Sequence, residues 1–327
     1  MKLRILTLVL VLLMLSSLLV SCKEEAPETI NIYTLNGTTG FGMAKLMNDN
    51  AETQKYTVTV KTDASEVTAA LINGDVDIAT LPTNAAANVY NKTKGGVKIL
   101  AVNTLGCLYL LTKEGVTVSS FQDLKGKTVC VPAQNPTFIF TELCKKNNLV
   151  PGTDITIDST TYAKPDQLRD AVAAGNVDIA VLPEPMVTIA MSTAKQKNIN
   201  LTNAMDLTAE WDKVKEEGSL VQGCVVVRTE FLEKYPQAVE EFLKEYKASI
   251  EYLTTNTADA AAMIESNGIF PKAAIAEKAI PKCNVCYLDG AAMKSAMEVY
   301  LNVLYQINPT SIGGALPEAD FYYNAEK

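Results

Sequence analysis

Two stretches of the chain share one pattern of apolar and polar positions. The segments 74–82 and 175–183 read GDVDIATLP and GNVDIAVLP, are identical at seven of nine positions and begin 101 residues apart. Each follows an alanine-rich stretch, starts at a glycine that can end a helix, and continues as an unbroken apolar run closed by proline. Such runs are typical of strands in a helix-covered parallel sheet. The repeat predicts two α/β lobes with one copy in each; chance similarity between two ordinary helix-to-strand joints is the alternative.

Further strand and helix patterns surround both copies. Asp63 and Glu66 resemble a capping box at the start of the helix that ends at Gly74. Alternation and helical spacing predict the other elements: strands over 30–35, 56–61 and 128–131, and helices over 41–48, 138–147, 258–266, 272–279 and 291–306.

Two more apolar runs predict how the lobes are joined. The runs 108–113 and 223–228 are predicted to be strands that cross between the lobes and act as a hinge. This organisation places lobe I at 30–107 and 229–327 and lobe II at 114–222.

The N-terminal region has the layout of an export signal. Two basic residues precede an uncharged apolar run that is shorter than the roughly 20 residues needed to span a bilayer, which predicts a signal peptide over 1–21. Ser21 before Cys22 resembles a lipobox, so Cys22 is predicted to become the acylated N-terminus. The polar segment 22–29 is predicted to be a tether. A plain signal peptide and an uncleaved anchor helix are the alternatives.

Charge and composition exclude several classes of function. The net charge is −8, and it becomes −10 when the two basic residues of the signal are removed, so nucleic acid is not expected as a partner. Histidine is absent, which excludes nucleophile pairs of the Ser-His-Asp and Cys-His types and most zinc ligand sets. We therefore predict no catalytic residues, no metal and no cofactor.

Six cysteines remain after Cys22. Cys107, Cys130 and Cys224 lie in apolar strand-like runs and are interpreted as buried thiols. Cys283 and Cys286 have CxxC spacing without a second pair, which favours a local disulfide or two packed thiols over a redox centre.

The candidate ligand site lies where strands end. In open α/β sheets ligands bind beyond the carboxyl ends of the strands, at helix N-termini. These ends are rich in Thr, Asn, Gly and Pro and almost free of Lys and Arg, so we expect a neutral or singly charged ligand. Each residue could instead be a cap or turn residue. The predicted contacts are Thr38, Thr39, Gly40, Asp63, Pro82, Thr83, Asn84, Asn135, Thr137, Phe138, Tyr162 and Glu184.

Three of these candidates have a specific expected role. Glu184, between two prolines, could accept a hydrogen bond from the ligand or hold the opposite lobe in a closed form; a solvated turn residue is the alternative. Phe138 and Tyr162 could stack on a ligand, although a phenylalanine at a helix start more often belongs to the core.

Several motifs occur in the order found in one known family. They are the lipobox, the polar turn after the first strand, the repeated Val-Asp-Ile-Ala with its closing Pro, the segment 123–127 (DLKGK) and the segment 231–236 (FLEKYP). Together they resemble the nitrate/sulfonate/taurine and thiamine-precursor class of ABC-transporter substrate-binding proteins. A relative that makes a thiamine pyrimidine consumes an active-site histidine, which this chain lacks.

The resemblance implies a type II periplasmic-binding-protein fold, with two lobes of mixed, mostly parallel sheets joined by two hinge crossings. It also implies a monomeric extracytoplasmic lipoprotein, anchored to the cell membrane, that passes a small solute to an ABC permease and ATPase. Ligand contacts are implied at Thr38, Thr39, Gly40, Pro82, Thr83, Asn135, Thr137 and Glu184. The alternatives are a surface-anchored ligand sensor or adaptor and, third, an enzyme using Asp63 and Glu184 as acid and base.

Overall fold

The computed structural model describes residues 27–214 and 220–324, whose strands form two mixed sheets. The predicted signal peptide, Cys22 and most of the tether lie outside these residues. In chain order the strands are β1 (Ile30–Leu35), β2 (Tyr56–Lys61), β3 (Ile78–Pro82), β4 (Val97–Leu105), β5 (Leu108–Lys113), β6 (Thr128–Cys130), β7 (Thr156–Asp158), β8 (Ile179–Pro183), β9 (Leu201–Asp206), β10 (Val221–Arg228) and β11 (Val285–Leu288).

Helices cover both sheets. In chain order they are α1 (Thr38–Phe41), α2 (Ala44–Thr53), α3 (Ala64–Asn73), α4 (Thr83–Thr93), α5 (Asn135–Lys146), α6 (Pro165–Ala173), α7 (Met186–Gln196), α8 (Leu207–Val214), α9 (Thr229–Lys234), α10 (Pro236–Thr255), α11 (Thr257–Ser266), α12 (Ala273–Ala279) and α13 (Gly290–Ile307). Short 3₁₀ helices occur at Phe121–Leu124, Ile280–Lys282, Pro309–Ile312 and Ala319–Phe321.

The six-stranded sheet defines lobe I and has the order β11-β4-β10-β3-β1-β2. Strands β1, β2 and β3 are parallel, and β10 lies antiparallel between β3 and β4. The five-stranded sheet defines lobe II and has the order β7-β6-β8-β5-β9, with only β5 opposed to its neighbours. The prediction of two α/β lobes with mixed, mostly parallel sheets is confirmed.

The sequence repeat occupies equivalent places in the two lobes. Strand β3 follows α3 in lobe I, and β8 follows α6 in lobe II. Both strands are buried over their first four residues and half-buried at the closing proline. Gly74 ends α3 with φ 81°, in the left-handed region that glycine tolerates best. One copy per lobe is therefore confirmed.

The hinge crossings require a correction. Residues 108–113 form β5, which pairs with β8 and β9 inside lobe II, and residues 223–228 belong to β10 inside lobe I. The chain instead passes from lobe I to lobe II at Gly106-Cys107, and along the sequence α8 of lobe II is followed by β10 of lobe I. The prediction failed because a buried strand inside a sheet and an apolar crossing strand have the same residue pattern.

Local predictions fail where side chains compete for partners. Asp63 accepts a hydrogen bond from Ser65 N at 2.8 Å, but Glu66 pairs with Lys61 Nζ at 3.2 Å, so the reciprocal half of the capping box is absent at this helix start.

Two predicted helices have different bounds in the structure. The predicted helix 41–48 is divided between α1 and α2, and the helix predicted to begin at 138 already begins at Asn135.

The two lobes are in contact through a buried aromatic pair. Trp211 of α8 meets Tyr300 of α13 edge to face, with ring centroids 6.3 Å apart, and both side chains are buried. Helix α13 packs on β4 and β10 of lobe I, whereas α8 packs on lobe II. Apolar packing between α8 and α13 thus holds the two lobes together on this side of the molecule.

Candidate functional site

A cavity of about 1070 Å³ lies between the two lobes. It is lined at the carboxyl ends of β1 and β3 from lobe I and of β8 from lobe II, together with the first residues of α1, α5 and α7. Strand ends and helix starts converge here because the lobes face one another with the same edge of each sheet. The volume is at the upper end of that usual for small-molecule sites.

Five of the predicted contact residues line this cavity. Thr38, Thr39 and Pro82 come from lobe I, and Asn135 and Glu184 come from lobe II. Their roles as ligand contacts stay predictions, but the fold brings these strand-end residues to one cavity although they are far apart in sequence.

Two hydrogen bonds join the lobes beside the cavity. Thr38 Oγ1 donates to the carbonyl oxygen of Glu184 at 2.9 Å, and Asn135 Nδ2 donates to Asn84 Oδ1 at 2.9 Å. Asn84 therefore acts through Asn135, since it does not itself line the cavity. Both bonds connect lobe I to lobe II and favour the arrangement in which the lobes are close together.

Three other predicted contacts have structural roles outside the cavity lining. Thr83 Oγ1 donates to Val221 O at 2.7 Å, and Thr137 Oγ1 donates to Pro132 O at 2.7 Å. Gly40 is buried against the end of β1, where a side chain has no room.

The remaining candidates also lie outside the lining. Asp63 caps α3 at the surface. Phe138 packs against the core, and Tyr162 packs against the apolar cluster around Leu168. In the part of the chain that the structure describes, Phe270 is the aromatic side chain that lines the cavity; it was missed because it follows a helix and not a strand.

The carboxylate of Glu184 is turned toward its own helix. It is 2% exposed and accepts hydrogen bonds from Thr188 N at 3.1 Å and Thr188 Oγ1 at 2.9 Å, within the first turn of α7. Burial raises the pKa of Glu184, and the two Thr188 bonds partly oppose that rise. Of the two predicted roles, the contact with the opposite lobe is made by its carbonyl group.

Glu184→Gln is expected to change how stability depends on pH. The folded protein has the higher pKa at Glu184, and the unfolded protein has a carboxyl pKa near 4.5. Between these two pKa values the folded protein keeps a proton on Glu184 that the unfolded protein has released. The contribution of Glu184 to stability is therefore complete below the pKa of the unfolded protein and is lost as the pH rises through the raised pKa. We expect the unfolding free energy of the variant, measured by urea denaturation, to gain on wild type over this window. Exposed Glu251→Gln is the control, and a difference independent of pH would contradict the assignment.

All the charged residues of the cavity except Glu184 were missed by the prediction from sequence. Its lining includes Arg169, Lys272 and Lys278 and the carboxylates Asp170, Glu184 and Glu265, three of each sign. All except Glu184 come from helices or from the loop before α12, whereas the prediction was drawn from strand ends. Arg169 lies four residues after Pro165, the first residue of α6, so helical spacing could have placed it on the same face as the helix start.

Among the described residues, the cysteines and the possible metal ligands form neither a disulfide nor a metal site. Cys107 and Cys224 are buried, as predicted, whereas Cys130 is only partly buried; all six described cysteines are free. Burial raises the pKa of the Cys107 thiol to about 12. Within 27–214 and 220–324 no cluster of Cys, Asp and Glu suits a metal ion, and no helix has the length and hydropathy of a membrane crossing.

Two α/β lobes that face a shared cavity define the class of periplasmic-binding-protein-like proteins of type II. The family model for the phosphonate ABC-transporter periplasmic substrate-binding protein matches residues 42–269. The chain belongs to this family and is a periplasmic substrate-binding protein of an ABC transporter. No curated protein matches it significantly in sequence.

Solved structures show the same fold. An ABC transporter protein from Parabacteroides distasonis is 26% identical, with a TM-score of 0.75 over 92% of this chain and 100% of that chain. The aliphatic sulphonate binding protein SsuA from Escherichia coli is 15% identical, with a TM-score of 0.70 over 92% and 95%. The nitrate-binding protein NrtA from Synechocystis PCC 6803 is 13% identical, with a TM-score of 0.60 over 91% and 85%. The predicted resemblance to the nitrate and sulfonate class is confirmed.

Proposed function

We propose that this protein encloses a small organic solute between its lobes and releases it to an ABC permease and ATPase. The observation that carries the proposal is a cavity lined from both lobes and flanked by two direct inter-lobe hydrogen bonds. A ligand that contacts both lobes stabilises the closed arrangement over an open one, because only the closed arrangement offers it both sets of contacts.

The proposed contacts are the predicted residues that line the cavity. Thr38, Thr39 and Asn135 offer hydroxyl, amide and backbone groups, while Pro82 and Glu184 shape the wall. Met186 and Ile189 supply apolar surface from α7, which suits a ligand with a carbon skeleton. The ligand is accordingly a polar organic molecule, neutral or singly charged.

The protein acts as a monomeric binding protein without bond chemistry. The pairing of Asp63 with Glu184 as acid and base has no support, because Asp63 caps an exposed helix start and does not line the cavity. An assay of the ligand before and after incubation should recover it unchanged.

Lipid attachment at Cys22 would hold the protein at the outer face of the cell membrane. Its support is the lipobox-like Ser21-Cys22 after an apolar export signal. Cys22→Ser should move the protein from the membrane fraction to the soluble fraction of cells; a variant that stays with membranes would contradict the anchor.

Thr38→Val tests whether lobe closure sets ligand affinity. The substitution keeps the side-chain shape but removes the inter-lobe bond to Glu184, worth about 1 kcal/mol. We expect calorimetry with a solute found by thermal-shift screening to show affinity reduced about 3- to 10-fold. Thr229→Val is the matched control, because its hydroxyl donates to Gly95 O at 2.6 Å within lobe I. Equal ligand affinity in the two variants would contradict the closure mechanism. If no solute stabilised the wild-type protein, the proposed function itself would be contradicted.

A further inference from the structure

A buried acceptor atom lies beside the proposed ligand cavity without a partner. Asn135 lines the cavity, and its amide nitrogen is used in the bond to Asn84. Its Oδ1 is buried and accepts no hydrogen bond from the described residues. A buried amide oxygen that loses water needs a donor in return. A ligand in this cavity can supply that donor only if it has an N–H or O–H group.

The helix start at Glu184 is poorly suited to an anion. Helix N-termini attract negative charge because their first N–H groups are unpaired. At α7 the protein's own Glu184 carboxylate already accepts from Thr188 N and Thr188 Oγ1. A second anion in the cavity would meet a like charge, and the raised pKa of Glu184 is consistent with a carboxylate that lacks full compensation.

The cationic residues of the cavity do not offset the repulsion between a bound anion and the Glu184 carboxylate. Arg169 is paired with Asp170, with Nη2 and Oδ1 2.8 Å apart, and Lys272 and Lys278 are exposed. Counted over residues 27–214 and 220–324, the lining has three cations and three carboxylates and therefore no net positive charge. A charge-balanced cavity gives a neutral or zwitterionic molecule an advantage over an anion, which loses its hydration without gaining a dedicated counter-ion.

We infer that the ligand carries no net negative charge and donates a hydrogen bond to Asn135 Oδ1. This excludes nitrate and simple alkyl sulfonates, which have no donor, and alkyl phosphonate anions. The inference rests on the proposed function, because it describes the ligand of the same cavity.

The charge of the ligand is tested with a fractionated small-molecule extract. A low-mass filtrate of yeast extract is passed over an anion-exchange resin at neutral pH, and full-length protein refolded free of ligand is added to each fraction. We expect thermal stabilisation by the unretained fraction and none by the retained fraction, nitrate, methanesulfonate or methylphosphonate. Stabilisation by the retained fraction or by any of these anions overturns the inference and leaves the clamp intact. Stabilisation by neither fraction overturns the proposed function itself.

The donor is tested with two matched variants. Asn135→Leu and Asn84→Leu both remove the inter-lobe amide bond, but only the first removes the acceptor at the cavity. With the stabilising compound purified from the unretained fraction, we expect Asn135→Leu to weaken binding at least ~10-fold more than Asn84→Leu. Asn135→Asp, which keeps an acceptor, should restore binding relative to Asn135→Leu. Equal losses in the two leucine variants, or no rescue by aspartate, overturn the assignment of Asn135 as the acceptor.

Discussion

Gly40→Ala is expected to destabilise the protein by about 3 kcal/mol or more and to abolish ligand binding. A Cβ atom at this position would lie 1.9 Å from the carbonyl oxygen of Leu35 and 3.1 Å from Ile269 Cγ2. The nearer atom belongs to the backbone of β1, so relief requires the strand end and α1 to separate. Since α1 carries Thr38 and Thr39, that separation displaces two residues of the cavity wall.

Gly37→Ala provides the comparison for this prediction. Gly37 has φ 76°, and no atom lies within 4 Å of a Cβ built there. Alanine at Gly37 therefore meets no clash and costs only the backbone conformation, because φ 76° with ψ −157° is a region almost restricted to glycine, worth about 1–3 kcal/mol. Urea denaturation of both variants measures the difference. If Gly40→Ala is no less stable than Gly37→Ala, the close approach of α1 to β1 is not a constraint on the fold.

Asp77→Ala is expected to cost about 2–3 kcal/mol, whereas Asp178→Ala should have almost no effect. The two residues occupy the same place in the sequence repeat. Asp77 is buried, accepts from Asn31 N at 2.9 Å and pairs with Arg228 Nη2 at 3.3 Å, so alanine leaves two donors without this partner. Asp178 has an exposed side chain 3.8 Å from Lys113 Nζ.

Chemical denaturation of the two aspartate variants gives the measurement. The Asp178→Ala variant is an internal control, because it makes the same substitution in the same motif of the other lobe. A similar loss of unfolding free energy in both variants would show that the aspartate stabilises the motif in either lobe, independently of its burial in lobe I.

The sequence predicted those parts of the fold that depend on local pattern. Strands over 30–35 and 56–61 match β1 and β2, because apolar positions and flanking polar turns fix them locally. The repeat located β3 and β8, and with them the edge where Thr38, Asn135 and Glu184 meet.

What the sequence could not predict depends on distant pairing. Nothing local distinguishes β10 as a central strand from the predicted crossing at 223–228. The contacts of Asn84 with Asn135 and of Thr38 with Glu184 span 51 and 146 residues and arise only when the lobes meet. Arg169 was overlooked because its helix reaches the cavity through its second turn, away from any strand end.

The position of β10 dictates an order of assembly for a newly made polypeptide. β10 separates β3 from β4, so the centre of the lobe I sheet cannot form until residue 228 has emerged. By then the whole of lobe II, which is continuous from 108 to 214, is already available to fold. Lobe I therefore forms last, when its N-terminal and C-terminal segments come together after lobe II has folded. A chain that ends before β10 can complete only lobe II, which is inserted between those two segments.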